Sequence, residues 1–139
     1  MILLDTSGLL AAMFADQTDH AACRESLEQA EPPLILSPFV LAELDYLVLR
    51  RAGVDAELRL LEEVADGAYD LVSFSRLDVA RTLEIARQYR DLEIGVTDAS
   101  LVVLSERHET VDILTLNRRH FRTIPGPRER PFRILPADT

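Results

Sequence analysis

Short apolar runs separated by longer stretches of helical period constrain this chain of 139 residues more than any other feature. Ile2–Leu4, Leu34–Leu36 and residues 71–74, 113–115 and 132–135 read as strands. Between them the period changes. Cys23, Leu27 and Ala30 recur at i, i+4, i+7, as do Val79, Leu83 and Ala86, while Leu58, Leu61 and Ala65 recur at i, i+3, i+7. Alternation of this kind specifies an α/β domain, residues 1–139, with a mostly parallel central sheet of about five strands flanked by helices. Pro32-Pro33 breaks the chain before the second strand, Ser37-Pro38 supplies a cap and an N1 proline for the next helix, and Gly53 ends it.

Three carboxylates stand against that apolar background. Asp5 closes the run Ile2-Leu3-Leu4, Glu43 interrupts Phe39-Val40-Leu41-Ala42-Glu43-Leu44, and Asp98 opens Ala99-Ser100-Leu101-Val102-Val103-Leu104. In an open parallel sheet, ligands sit beyond the carboxyl ends of the strands. Asp5 ends the first strand, Glu43 follows the second in the first turns of its helix, Asp98 begins a helix, and Asn117 follows the strand at 113–115. These four oxygen-bearing residues are therefore expected on one sheet edge. Ionised carboxylates packed together repel, and burial adds a desolvation cost, both of which a hard dication relieves. Mg²⁺ or Mn²⁺ suits a few carboxylates plus a substrate phosphate, and the natural chemistry is metal-assisted phosphodiester hydrolysis.

Each acid also has a plainer explanation. Asp5 before Thr6-Ser7 and Asp98 after Thr97 are both suited to capping a helix N-terminus. Glu43 lies on a helix apolar on nearly every side, so it is expected to be mostly buried, with exposure on a narrow stripe beside Asp45 as the alternative. His20, His108 and His120 show no zinc-like spacing with one another or with Cys23 and read as surface or capping residues.

Charge narrows the function classes. The net −9 argues against coating nucleic acid by bulk electrostatics. Residues 1–70 hold 14 acids and 4 Arg, net −10, whereas residues 71–139 hold 10 acids and 11 Arg, net +1. Six Arg fall within residues 118–133 against the single acid Glu129, compatible with a phosphate-facing edge. The chain has no Lys, which removes phosphorelay receivers and haloacid-dehalogenase phosphatases, and it has no Gly-rich dinucleotide turn. One cysteine permits no internal disulfide, and no apolar run is long enough to span a bilayer, so a cytoplasmic protein is expected.

Four segments in order, Ile2-Leu3-Leu4-Asp5-Thr6-Ser7, Ser37-Pro38-Phe39-Val40-Leu41-Ala42-Glu43-Leu44, Gly95-Val96-Thr97-Asp98-Ala99-Ser100 and Leu114-Thr115-Leu116-Asn117-Arg118-Arg119-His120-Phe121, resemble the PIN-domain family, and within it the VapC-type ribonuclease toxins. The resemblance spans essentially the whole chain. It implies a PIN-like nuclease domain, an endoribonuclease dependent on Mg²⁺ or Mn²⁺, with Asp5, Glu43 and Asp98 as metal ligands and Thr6, Ser7 and Thr115 supporting them. Asn117 occupies the fourth acidic position of the family, where Asp is commoner, and brings no charge to a second metal. Arg118 and Arg119 are expected to contact the RNA backbone. A homodimer and a small antitoxin whose basic tail enters the acidic cleft are also implied. The rival reading is a PIN-like scaffold, weakened at Asn117, that binds RNA or protein without cleaving.

Overall fold

Ile2, Leu3 and Leu4 form β1 (Ile2–Leu4), and all three are buried, as befits a strand covered on both faces. In the computed structural model, which describes all 139 residues, β1 is the middle strand of a five-stranded sheet ordered β3-β2-β1-β4-β5 with every pairing parallel. The others are β2 (Leu34–Leu36), β3 (Asp70–Leu71), β4 (Asp112–Leu114) and β5 (Arg133–Leu135). Leu3 sits between Ile35 and Ile113, and Leu4 between Leu36 and Leu114, so the most apolar residues share the sheet centre.

Seven α-helices connect and cover the strands: α1 (Thr6–Met13), α2 (His20–Gln29), α3 (Pro38–Ala52), α4 (Val54–Ala65), α5 (Arg76–Gln88), α6 (Gly95–His108) and α7 (Arg118–Thr123). None is long and apolar enough to cross a membrane. The chain builds outward from β1 through β2 to β3, then returns to the other side of β1 for β4 and β5. This reversal between β1 and β4 is the switch point at which open parallel sheets bind ligands.

Local chemistry fixes the elements around that point. Ser37 caps α3 by accepting from the Phe39 N–H at 3.2 Å, Pro38 starts the helix, and Gly53, with φ 87°, turns the chain into α4. Ser37 Oγ also lies 2.9 Å from Ser100 Oγ, tying the start of α3 to α6. The run from Ala99 to Ser105 is buried throughout, so α6 is a core helix rather than an amphipathic one. Gly8 allows α1 to lie close on β4, since a Cβ there would meet the Leu114 carbonyl oxygen at 2.7 Å.

Several expectations shift. The third strand, expected at 71–74, is observed at Asp70–Leu71, because only this stretch pairs with Ile35 and Leu36 before the chain leaves the sheet. The stripes Leu58, Leu61, Ala65 and Val79, Leu83, Ala86 do mark helices, but they face solvent. Leu60 on α4 and Thr82 and Ile85 on α5 are buried instead.

Candidate metal centre at the sheet edge

Asp5 follows β1 at the switch point and is 4 % exposed. Its Oδ1 accepts from the Thr6 N–H at 2.8 Å, and its Oδ2 accepts from the hydroxyls of Thr115 at 2.6 Å and Ser7 at 3.2 Å. Ser7 Oγ lies 3.3 Å from Thr115 Oγ1 and accepts from the Leu116 N–H at 3.0 Å, so the end of β4 is laced to the start of α1. Asp5 therefore caps α1, as its plainer explanation has it, and also stands at the sheet edge beyond the end of β1. Thr6 Oγ1, in a residue 3 % exposed, makes no hydrogen bond, so its hydroxyl is an unpartnered oxygen beside the carboxylate.

Asp98 lies in the first turn of α6 rather than at its cap. Its Oδ2 accepts from Asn117 Nδ2 at 2.9 Å and stands 2.5 Å from His120 Nδ1. Glu43 reaches the same neighbourhood from α3, where its Oε2 accepts from the Thr97 hydroxyl at 3.3 Å. Its side chain is exposed, contrary to the burial expected from the sequence. The reason is that α3 packs inward along Val40, Leu44 and Val48, leaving Ala42, Glu43 and Tyr46 on the open side.

Electrostatics join the three acids. Burial, reinforced by the charge of Asp98, raises the Asp5 carboxyl to about 6 despite its hydrogen bond from Thr115. Burial also raises Asp98, with the charge of Glu43 adding to it while His120 and Asn117 pull the other way. The charge of Asp98 thus makes Asp5 harder to ionise, and that of Glu43 does the same to Asp98. No three of the chain's Asp, Glu, His and Cys side chains stand close enough to form a finished metal shell. The donor set is nevertheless all oxygen at its acids, with unfavourable charge at Asp5 and Asp98 and one exposed arm in Glu43. These properties fit a hard divalent cation, which would be held by Asp5, Asp98 and Glu43.

Asn117 turns its amide toward Asp98 as a donor, not as an oxygen ligand. His120, read from the sequence as a surface or capping residue, is instead in direct contact with Asp98, its side chain only 15 % exposed. The usable signal was the i, i+3 spacing of Asn117 and His120 at the start of α7, which places both on one face. The arginine cluster also resolves differently. Arg122 pairs with Asp138, Arg133 with Asp112 at 3.2 Å, and Arg128 and Arg130 with Glu109 at 3.5 and 3.9 Å. Only Arg118 and Arg119 of the six carry no paired acid, and they directly follow Asn117.

A central parallel strand ending in a buried aspartate, flanked by acids from the helices after β2 and before β4, defines a class: the PIN domain family model matches residues 2–126, and the chain belongs to that family. Within it, the chain is 45 % identical over 138 residues to Ribonuclease VapC26 of Mycobacterium tuberculosis, covering 97 % of this chain and all of that one. Solved structures share the fold at low identity. VapC20 of M. tuberculosis, a Sarcin-Ricin loop cleaving toxin, superposes with TM-score 0.75 at 18 % identity over 81 % of this chain and 87 % of its own. VapBC2 from Rickettsia felis, bound to a DNA fragment from its promoter, gives 0.69 at 20 % over 96 % and 98 %. A toxin–antitoxin complex from Klebsiella pneumoniae gives 0.70 at 20 % over 91 % and 95 %.

Proposed function

We propose that this chain is a divalent-metal-dependent endoribonuclease and the toxin member of a toxin–antitoxin pair. What supports the reading is that Asp98 disfavours ionisation of Asp5, and Glu43 that of Asp98, beside the switch point of a chain 45 % identical to a ribonuclease. When bound there, Mg²⁺ or Mn²⁺ supplies charge to polarise a phosphodiester and to lower the pKa of an attacking water.

The chain's own groups do the rest. Thr6, Ser7 and Thr115 hold Asp5 in one orientation, Asn117 and His120 hold Asp98, and Glu43 extends from the open face of α3. Arg118 and Arg119 stand free to contact the phosphates on either side of the scissile bond. Attack of water on phosphorus, with cleavage of the P–O3′ bond and a proton passing to the departing 3′ oxygen, would leave 5′-phosphate and 3′-hydroxyl ends. The antitoxin is a small protein with a basic segment, matched to the net −10 of residues 1–70, and the working form is a homodimer.

Sequencing RNA 5′ ends after induced expression tests the activity: wild type creates new 5′-phosphate ends and Asp98→Asn does not. A wild-type pattern from Asp98→Asn overturns the reading. The neutral Asn117 favours one alternative, a scaffold that binds RNA without cutting it. In that case RNA binds equally with and without Mn²⁺, and Glu43→Gln changes nothing.

A further inference from the structure

Two nitrogens converge on a single oxygen of Asp98. His120 Nδ1 lies 2.5 Å from Oδ2 and Asn117 Nδ2 lies 2.9 Å from the same atom, while the two nitrogens are 3.2 Å apart. At 2.5 Å a proton must lie between His120 and Asp98, because two lone pairs at that distance would repel. The amide nitrogen of Asn117 has only hydrogens to offer. Asn117 therefore donates to Oδ2 and His120 shares a proton with the same atom, while no hydrogen bond within the chain reaches Oδ1.

We propose that His120 is a positioning residue of the metal centre: paired with Asn117, it locks Oδ2 of Asp98 so that Oδ1 is the oxygen presented to a cation. The inference rests on the proposed metal site and adds a residue to it. It also gives the neutral Asn117 a use. A carboxylate at 117 would put an acceptor where Asp98 already has excess charge, whereas the amide helps His120 hold that charge in place. The position then serves to orient one ligand of a single cation rather than to bind a second.

The local frame supports such a role. Asn117 N–H bonds Thr115 Oγ1 at 2.9 Å, and Thr115 Oγ1 donates to Asp5. Asn117 therefore connects Asp98 through Thr115 to Asp5, joining the half-buried aspartate to the buried one by a chain of hydrogen bonds. Phe121, next to His120, is buried and packs edge-to-face on Phe132 with ring centroids 5.4 Å apart, which fixes the start of α7 against β5. Partners that orient metal ligands typically change metal affinity by 10–100-fold when removed.

Mn²⁺ titration of the full chain, followed by electron paramagnetic resonance, distinguishes this role from simple anchoring of α7. Asn at 120 places an amide N–H near the position of Nδ1, whereas Gln moves its donor one bond farther out. His120→Ala and His120→Gln are expected to weaken Mn²⁺ binding roughly tenfold and His120→Asn by less than about threefold. An anchoring role would instead follow thermal stability and ignore where the donor sits. Unchanged affinity in His120→Ala, or equal affinity in the Asn and Gln variants, overturns the proposal. Should His120→Ala fail to fold, the comparison of Asn with Gln decides alone. A wild-type chain that takes up no Mn²⁺ overturns the metal site and this role together, whereas normal wild-type uptake with no ordering among the variants overturns this role only.

Discussion

Asp5 and Glu43 face the same sheet edge under opposite physical regimes. Asp5 is sealed at the switch point, held by one backbone N–H and two hydroxyls, and pushed up to about 6. Glu43 rides the open side of α3 with a single hydrogen bond, from Thr97. The first is preorganised at a cost in folding stability; the second is inexpensive to fold and must be ordered when a ligand arrives. A site can thus divide its acids between a fixed half and an adaptable half.

The largest effect that tests this contrast is loss of cleavage on removing a charge from the fixed half. Asp5→Asn or Asp98→Asn should lower metal-dependent RNA cleavage by about a thousandfold or more, equivalent to roughly 4 kcal/mol of transition-state stabilisation, in a single-turnover assay. Residual activity near wild type would erase the distinction.

Stability should move the other way. Asp5 titrates near 3.8 when unfolded and at about 6 when folded, so between those values the folded chain holds more protons. The contribution of Asp5 to stability in the presence of a chelator is therefore greatest below about pH 4, falls as pH rises to about 6 and stays low above it. The loss is at most about 3 kcal/mol, from 1.36 kcal/mol per unit. Thermal melts from pH 4 to 7.5 in EDTA should show the decline, and Asp5→Asn should flatten it and melt higher than wild type at pH 7.5.

Glu43→Gln should cost cleavage less than Asp5→Asn, about 10–30-fold or roughly 1.4–2 kcal/mol, with partial recovery at raised Mn²⁺ and a melting curve unchanged within about 0.5 kcal/mol. A large drop in stability would show that its exposure had been misjudged. Smallest of all, Arg118→Ala and Arg119→Ala should each weaken RNA binding a few-fold and reduce its salt dependence, while Arg122→Ala, whose cation is already paired with Asp138, leaves both alone.

The sequence made legible whatever depends on period and punctuation. β1 and β2 fall at Ile2–Leu4 and Leu34–Leu36 as read, and Ser37-Pro38 and Gly53 bound α3. Periodicity locates a helix but does not say which way its stripe points. α6 is buried all round from Ala99 to Ser105, whereas α4 and α5 turn Leu58, Leu61, Val79 and Leu83 outward. The same limit explains Glu43, since apolar neighbours on a helix do not reveal how much of its circumference is covered. Partnerships distant in sequence were illegible for another reason. Glu109, Asp112 and Asp138 lie outside residues 118–133, so a local charge count left four arginines free that the fold neutralises. His120 was hidden likewise, because its partner, Asp98, is 22 residues away on another helix.

The hydroxyl that holds Asp5 arrives 110 residues after it, and Thr115 directly follows β4, the second-to-last strand to be made. A polypeptide still emerging from the ribosome therefore carries Asp5 with neither Thr115 nor Asn117 and His120 available to shape that sheet edge. If the chain is the ribonuclease proposed above, this order of assembly leaves its acids unoriented until β4 and α7 have been made.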